Sequence, residues 1–225
     1  MTRTNDSSGQ NTLLSLDENN PSIHVEEISE QQLEKELNEE ATDSTEGFST
    51  LNDSSTTSTS YKTMTVSITR INNDRYRVSN RVEWHEEPIL TLTDAIGVGI
   101  NANTSPIPGT EFGVQNVYKI NGDMAHQFLY LSNNSNWNRS GDYGLNVNLK
   151  GDPALMYTYD IFMHYEVTPN VSTVTKIDAY GHYAHREMAW NATPSYSIAG
   201  PSMGLSFKIN YSVHQPQPHA QVTRY

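Results

Sequence analysis

From Tyr61 onward, apolar and polar residues alternate with a period of two. In YKTMTVSITRI, Met64, Val66 and Ile68 fall on one face while Thr63, Thr65, Ser67 and Thr69 fall on the other, the pattern of a strand with one side buried. Asn72, Asn73 and Asp74 supply a turn, and RYRVSNRVEW resumes with Tyr76, Val78, Val82 and Trp84 on one face, so a hairpin is expected. Further strand candidates are ILTLTDAIGVGI, VQNVYKI, HQFLYLS, YGLNVNLK, LMYTYDIFMHYEVT, VTKIDAYGHYAH and LSFKINYSVH. No segment past residue 60 sustains a helical pattern for the roughly ten residues a helix needs, which removes the helical and α/β classes. The expected fold is all-β, an antiparallel β-sandwich of about nine strands. LMYTYDIFMHYEVT and VTKIDAYGHYAH, joined at Pro169 and Asn170, are expected to form the longest hairpin and a central ribbon of one sheet. Thirteen tyrosines suit such a sheet, because each offers a broad ring to the core and a hydroxyl to water.

Residues 1–60 have a different character. They are rich in Ser, Thr, Asn, Asp and Glu, hold Phe48 as their one aromatic, and read as a disordered acidic leader and linker. Within them, SEQQLEKELNEE offers a short helix over 29–40: Ser29 and Gln32 have capping-box spacing, and Leu33 and Leu37 lie four apart. Two leucines do not hold an isolated helix. LNDSSTTSTS reads as linker, which sets the β-domain at 61–225. The leader carries 13 of the 26 acidic side chains with only Arg3 and Lys35 against them, so it accounts for −11 of the net −12. The rest of the chain is close to neutral and shows no basic patch, which disfavours nucleic acid as a partner.

The chain has no cysteine, so disulfides, thiolate zinc sites and thiol nucleophiles are excluded. No run of eighteen apolar residues occurs, and MTRTNDSSGQ lacks the apolar core of a signal peptide, so the chain is read as soluble and without a visible address.

The stretch that most resembles chemistry is AYGHYAHREMAWN, residues 179–191. On a strand, His182 and His185 point to opposite faces and cannot share an ion; each is expected to be a surface or satisfied polar group. VEWHEEP is the better ligand candidate. If the strand continues, Glu83, His85 and Glu87 line one face, and two carboxylates with an imidazole suit a divalent cation. Three polar residues facing water give the same pattern. GPSMG matches the nucleophile elbow by letter, but a strand follows Ser202 and no acid occurs after Glu187, so the hydrolase order fails and a turn is expected. GVGINA matches a loose dinucleotide fingerprint, yet the following NTSPIPGT places prolines where the phosphate-binding helix should start. SNNSNWNRSGDYG is a polar loop with an exposed-looking Trp137. Sugar sites combine amides, a carboxylate and an aromatic face, so Asn136, Trp137, Asn138 and Asp142 are the candidate ligand-binding set.

RVEWHEEPILTLTDAIGVGI, SNWNRSGDYGLNVNLKGD, the YEVTP to DAYGHYAH segment and GLSFKINYSV resemble, in that order, a group of small cysteine-free secreted proteins of Bacillus-type Gram-positive bacteria. The most specific part is the N-W-x-R-S, Y-G, N-L-K arrangement from Asn136 to Lys150. The resemblance implies an all-β fold and an extracellular location, and no activity. It also makes the acidic leader the segment that follows a signal cleavage site.

These readings favour a secreted, non-enzymatic β-sandwich that acts by binding or self-association at a bacterial surface or matrix. It is expected to need no cofactor, to use edge strands or the leader for assembly, and to take a carbohydrate or cell-surface ligand. The alternatives are a secreted hydrolase or metal-dependent enzyme whose carboxylates and histidines meet from separate strands, and a membrane-active pore-forming toxin.

Overall fold

A computed structural model describes residues 52–88, 90–149, 157–187, 196–205 and 211–224. Residues 1–51, with the expected helix at 29–40, lie outside the described residues. So does part of LSFKINYSVH.

The described chain is all-β and antiparallel throughout its named strands. The first sheet contains β1 (Asn52–Ser58), β2 (Lys62–Asn72), β3 (Arg75–Trp84), β5 (Thr104–Pro106), β6 (Phe112–Lys119), β7 (Met124–Leu131) and β10 (Tyr157–Pro169). Its order is β1-β2-β3-β10-β6-β7, with β5 continuing beside β10 where β6 stops. The second sheet contains β4 (Thr93–Ile100), β8 (Trp137–Asn138), β9 (Gly144–Asn148), β11 (Lys176–Arg186), β14 (Tyr211–Val213) and β15 (His219–Thr223). Its order is β14-β11-β4-β9-β8, with β15 also on β11. A separate hairpin is formed by β12 (Tyr196–Ala199) and β13 (Ser202–Leu205).

The fifteen strands among the described residues exceed the nine or so expected, mainly because strands as short as β5, β8, β12 and β14 give too little alternation to be seen. Residues 52–58, read from composition as linker, form β1. Its Ser and Thr side chains bury little, but the backbone pairs with β2 along its whole length, from Asn52 opposite Thr69 to Ser58 opposite Thr63. The expected β2–β3 hairpin is present, and Met64, Val66, Ile68, Tyr76, Val78 and Val82 are fully enclosed.

The expected pairing of the two longest strands is not what forms. β10 lies between β3 and β6 in the first sheet, while β11 lies between β4 and the β14/β15 edge in the second. Residues 170–175 therefore cross from one sheet to the other. Alternation assigns each strand a buried face; it does not choose the neighbour, which here comes from remote sequence.

The inward faces of the two sheets enclose one apolar layer, with Tyr159, Ile161, Met163, Tyr165 and Val167 of β10 at its middle. Polar bolts cross it. The Asn80 amide donates to the carbonyls of Gly97 at 2.9 Å and His182 at 3.1 Å. The Tyr165 hydroxyl donates to Val98 O at 2.8 Å, and the Gln115 amide to Asn148 O at 3.0 Å.

The outward face of the second sheet is covered in turn. Ala95 and Ala184 pack against Tyr196 and Ile198 of the β12–β13 hairpin. Gly97 and Gly99 make the close approach possible: a methyl group at Gly97 would overlap Ile198, and one at Gly99 would overlap the Gly200 carbonyl. The hairpin turns at Gly200, whose φ of 52° is a left-handed conformation that favours glycine. Gly99 of GVGI and Gly200 of GPSMG thus meet as backbone packed on backbone, while Gly97 makes room for the Ile198 side chain.

Gly99→Ala is accordingly expected to destabilise the fold by about 1–3 kcal/mol, the usual cost of overpacking a tight contact. Urea unfolding would show a lower midpoint; an unchanged midpoint would mean the hairpin does not lie on the sheet.

Candidate functional site

A polar cluster closes one end of the inter-sheet layer. Lys62 begins β2, and its pairing partner Trp84 ends β3. Asp94 is the second residue of β4; Tyr183 and His185 lie near the end of β11, where Ala184 pairs with Ala95. All sit at the inward-facing positions of their strands, so four strands from two sheets converge.

Asp94 is the hub. It is fully enclosed and accepts from the Tyr183 hydroxyl, from the backbone N–H of Arg186 at 3.0 Å, and from His185 Nδ1 at 2.9 Å. The carboxylate thereby fixes the Nδ1–H form of the His185 ring. Trp84 Nε1 donates to the same Tyr183 hydroxyl at 2.9 Å, which carries the chain of bonds from the second sheet to the first. The Lys62 ammonium lies 5.2, 5.0 and 4.9 Å from the ring centroids of Tyr61, Trp84 and Tyr183, a cation–π cage. Burial lowers the Lys62 pKa to about 8, against the opposing pull of Asp94 and Glu187. Burial, reinforced by Asp94, holds the Tyr183 hydroxyl protonated well above the usual phenol range.

His214 joins the cluster from the segment between β14 and β15. Its Nε2 is 2.8 Å from Thr57 Oγ1 of β1, and its N–H donates to Tyr183 O at 3.0 Å, so it ties the margins of both sheets together. Burial, with the Lys62 charge behind it, lowers its pKa to about 4.

Chemically, an Asp–His–Tyr relay beside an amine of depressed pKa has acid–base capacity. Access to it is restricted. Lys62 is 1 % exposed and Asp94 and Tyr183 are 0 % exposed, so a reacting atom would reach them only if the sheets parted. What the cluster does in the closed fold is hold four strands in register.

The other sequence candidates fall elsewhere. β3 ends at Trp84, so the face that was to carry Glu83, His85 and Glu87 is not continued. Glu83 lies 3.4 Å from Arg81, while the exposed His85 is 2.8 Å from Thr63 Oγ1. Among the described residues no group of three or more His, Asp or Glu side chains is placed to hold a metal ion.

Trp137, expected to be exposed, is 6 % exposed, and its Nε1 donates to Leu131 O at 2.9 Å. It is core, with no open ring face for a sugar. The Asn136 amide donates to Asn146 O at 2.9 Å and the Asn138 amide to Tyr196 O at 2.6 Å. Asp142 accepts from the N–H groups of Ile100 and Gly200, at 2.9 and 2.7 Å, while burial raises its pKa. Asn136, Asn138 and Asp142 thus hold backbone partners in β9, β12, β4 and the β12–β13 turn, and Trp137 ties β8 to Leu131 of β7.

His182 and His185 occupy opposite faces, as the strand reading requires. Both are enclosed, and His185 bonds Asp94 through Nδ1. His182 Nε2–H donates to Gly200 O at 2.8 Å, its Nδ1 accepts from the Gln217 amide at 2.7 Å, and burial lowers its pKa.

Lys62, Asp94 and His214 were not picked out from sequence, although the first two carried a signal. Lys62 shares parity with Met64, Val66 and Ile68, and Asp94 with Ile96, Val98 and Ile100. A charge in register with an apolar face marks a buried ion.

The fold and cluster define an all-β protein of two facing sheets with an internal ionic hub. Compared with protein-family models and with curated proteins, the chain matches none.

Two outcomes are expected of mutagenesis. Asp94→Ala strands three donors and leaves Lys62 uncompensated, a loss of about 3–5 kcal/mol; Lys62→Met, which removes a desolvated charge of similar shape, is neutral or stabilising at pH 7. Denaturant unfolding that ranked them the other way would mean the ammonium, not the carboxylate, is the hub.

The pH dependence has a definite sign. Lys62 and His214 have folded pKa values below their unfolded ones, so the unfolded chain binds more protons between the two values and stability falls as pH falls. For His214 the loss runs from about 6.5 down to about 4, and for Lys62 from about 10.5 to about 8. His214→Gln is expected to flatten the acid-side decline by about 2–3 kcal/mol, measured as the unfolding free energy at pH 7 and pH 4. Equal slopes in the two proteins would contradict the depressed imidazole.

Proposed function

We propose that the chain is a secreted, non-enzymatic β-sandwich that acts by binding or self-association at a bacterial surface or matrix. The observation that carries this reading is the commitment of its chemically capable side chains to internal bonds. The Asp–His–Tyr relay is enclosed, the amide and carboxylate loop is spent on fastening, and His85, His126, His164, His182 and His185 are dispersed over both sheets. Unspent hydrogen-bonding capacity remains in the backbone of the sheet margins, which recognise other strands rather than small substrates. The surface location follows the resemblance of the RVEWHEEP to NYSV segments to secreted proteins. The loss of the Trp137 platform moves weight from a sugar ligand toward association of chains.

The test is sedimentation velocity of the full chain across a range of concentrations, with co-sedimentation against purified Gram-positive cell wall. A sedimentation coefficient that rises with concentration, or retention by the wall, is expected. A chain that stays monomeric throughout and remains in the supernatant would overturn the reading.

A further inference from the structure

We infer that residues 214–218, which run between β14 and β15, form a strap that acid releases from the margin of the second sheet.

Four bonds seat the strap. The His214 N–H donates to Tyr183 O and the Gly181 N–H to Pro218 O, each at 3.0 Å. Between them the Gln217 amide donates to His182 Nδ1 at 2.7 Å, and His214 Nε2 lies 2.8 Å from Thr57 Oγ1 of β1. Pro216 and Pro218 have no N–H, so the strap cannot exchange these bonds for a regular strand ladder. Two of the four bonds therefore run through imidazole nitrogens, and both rings are enclosed, His182 at 0 % and His214 at 2 % exposure.

These two histidines differ from their neighbours in the second sheet by lacking a counter-ion. His185 lies 2.9 Å from Asp94 and His219 lies 2.9 Å from Asp178, so a proton there strengthens an existing contact. His182 bonds Gln217 and the Gly200 carbonyl, and His214 bonds Thr57; among the described residues no carboxylate bonds either ring. His214 Nδ1 is moreover buried without a hydrogen-bond partner. An imidazolium carries N–H on both nitrogens, so that position would then hold a charged donor with nothing to receive it.

The surroundings of each ring oppose the proton as well. From β2 the Lys62 ammonium repels a charge on His214, while Thr57 of β1, Tyr183 of β11 and Tyr211 at the start of β14 stay neutral in acid. Asp94 of β4 and Glu187 beyond β11 act on Lys62, and Asp94 is already bonded by Tyr183, His185 and Arg186. His182 faces the Gly200 turn, Gly99 of β4 and Gln217, none of them ionisable. Burial lowers both pKa values, that of His214 to about 4. With the strap lifted, the rings meet water and take protons near 6.5, so the open form gains on the seated one as pH falls through that window.

The motion is local, since Gln215 and Pro216 at the centre of the strap are exposed. Lifting it frees Tyr183 O and Gly181 N–H on β11, cuts the Thr57 tie of β1 to the second sheet, and withdraws His214 from the Lys62 side of the hub.

The experiment is amide hydrogen exchange of the full chain by NMR at pH 7 and at about pH 4, each amide corrected for its intrinsic rate. Protection of the His214 and Gly181 amides is expected to fall roughly tenfold or more on acidification, beyond any fall at Val78 in the middle of the first sheet. His214→Gln, which keeps a polar group toward Thr57 without a titrating ring, is expected to hold most of that protection at the lower pH. Thr57→Val is the second variant: it removes the same tie and no proton site, so it should loosen the His214 amide at pH 7 and leave the wild-type fall in place. Strap amides that keep their protection in acid, or that lose it only in step with Val78, overturn the inference. So does a His214→Gln protein whose strap opens with acid as the wild type does.

Discussion

Polar atoms shut between two sheets have no water to turn to, and the structure depends on how they are satisfied. Apolar faces alone tolerate sliding, since one methyl packs on another over a range of offsets. A buried carboxylate does not. Asp94 must meet the Tyr183 hydroxyl, His185 Nδ1 and Arg186 N–H at once, and Trp84 must reach Tyr183 from the opposite sheet. At the middle of the layer Asn80 uses both amide hydrogens on two carbonyls of the facing sheet. Each bond contributes only about 1 kcal/mol net, but leaving any of them unmade costs the full desolvation of the group. The bolts therefore choose one alignment of the sheets out of several that the apolar surfaces would accept.

This hierarchy explains what was legible in the sequence. The buried face of β2 and of β3 could be read residue by residue, because burial alternates with side-chain direction and leaves its mark on every second position. Pairing leaves no such mark. β10 and β11 look like a hairpin because they are long, apolar and separated by a turn-like Pro169 and Asn170, yet each takes its neighbours from elsewhere and they stand in different sheets. β1 was invisible for the complementary reason: its side chains bury little, and a strand held by backbone bonds alone has the composition of a linker. The ionic hub was half legible. Lys62 and Asp94 break the apolar rank of their faces, whereas His214 sits in an irregular Pro-containing segment where no period exists to be broken.

The motif-like stretches share one origin. Gly99 in GVGI serves a close approach of backbone, as the glycines of nucleotide loops do, but what approaches it here is Gly200 of GPSMG in the covering hairpin. The Asn-rich loop around Trp137 likewise looks like a ligand site because its amides are arranged to bind something; they bind Asn146 and Tyr196 carbonyls of the same chain. A local pattern reports the need for a small residue or an amide. The partner that meets that need is a property of the fold.

Satisfaction also decides where the protein can meet other molecules. Side chains with a full set of internal partners gain little from a ligand, so the proposed association would draw on backbone groups at sheet margins. A two-sheet protein that never closes into a barrel has this residue of capacity at its margins. Here the margins are unequal. The β1 and β14/β15 side is stitched by Asp53, Thr57 and His214 and interrupted by prolines, whereas the β7 side carries an uninterrupted neutral strand. The hub lies toward the stitched side, through Thr57 and His214, at the β1 end of the first sheet's strand order and away from β7. An asymmetry of this kind ties β1, β2 and β3 to the second sheet through Thr57, Lys62 and Trp84, so parting the sheets there would strand Asp94 and Lys62 without partners.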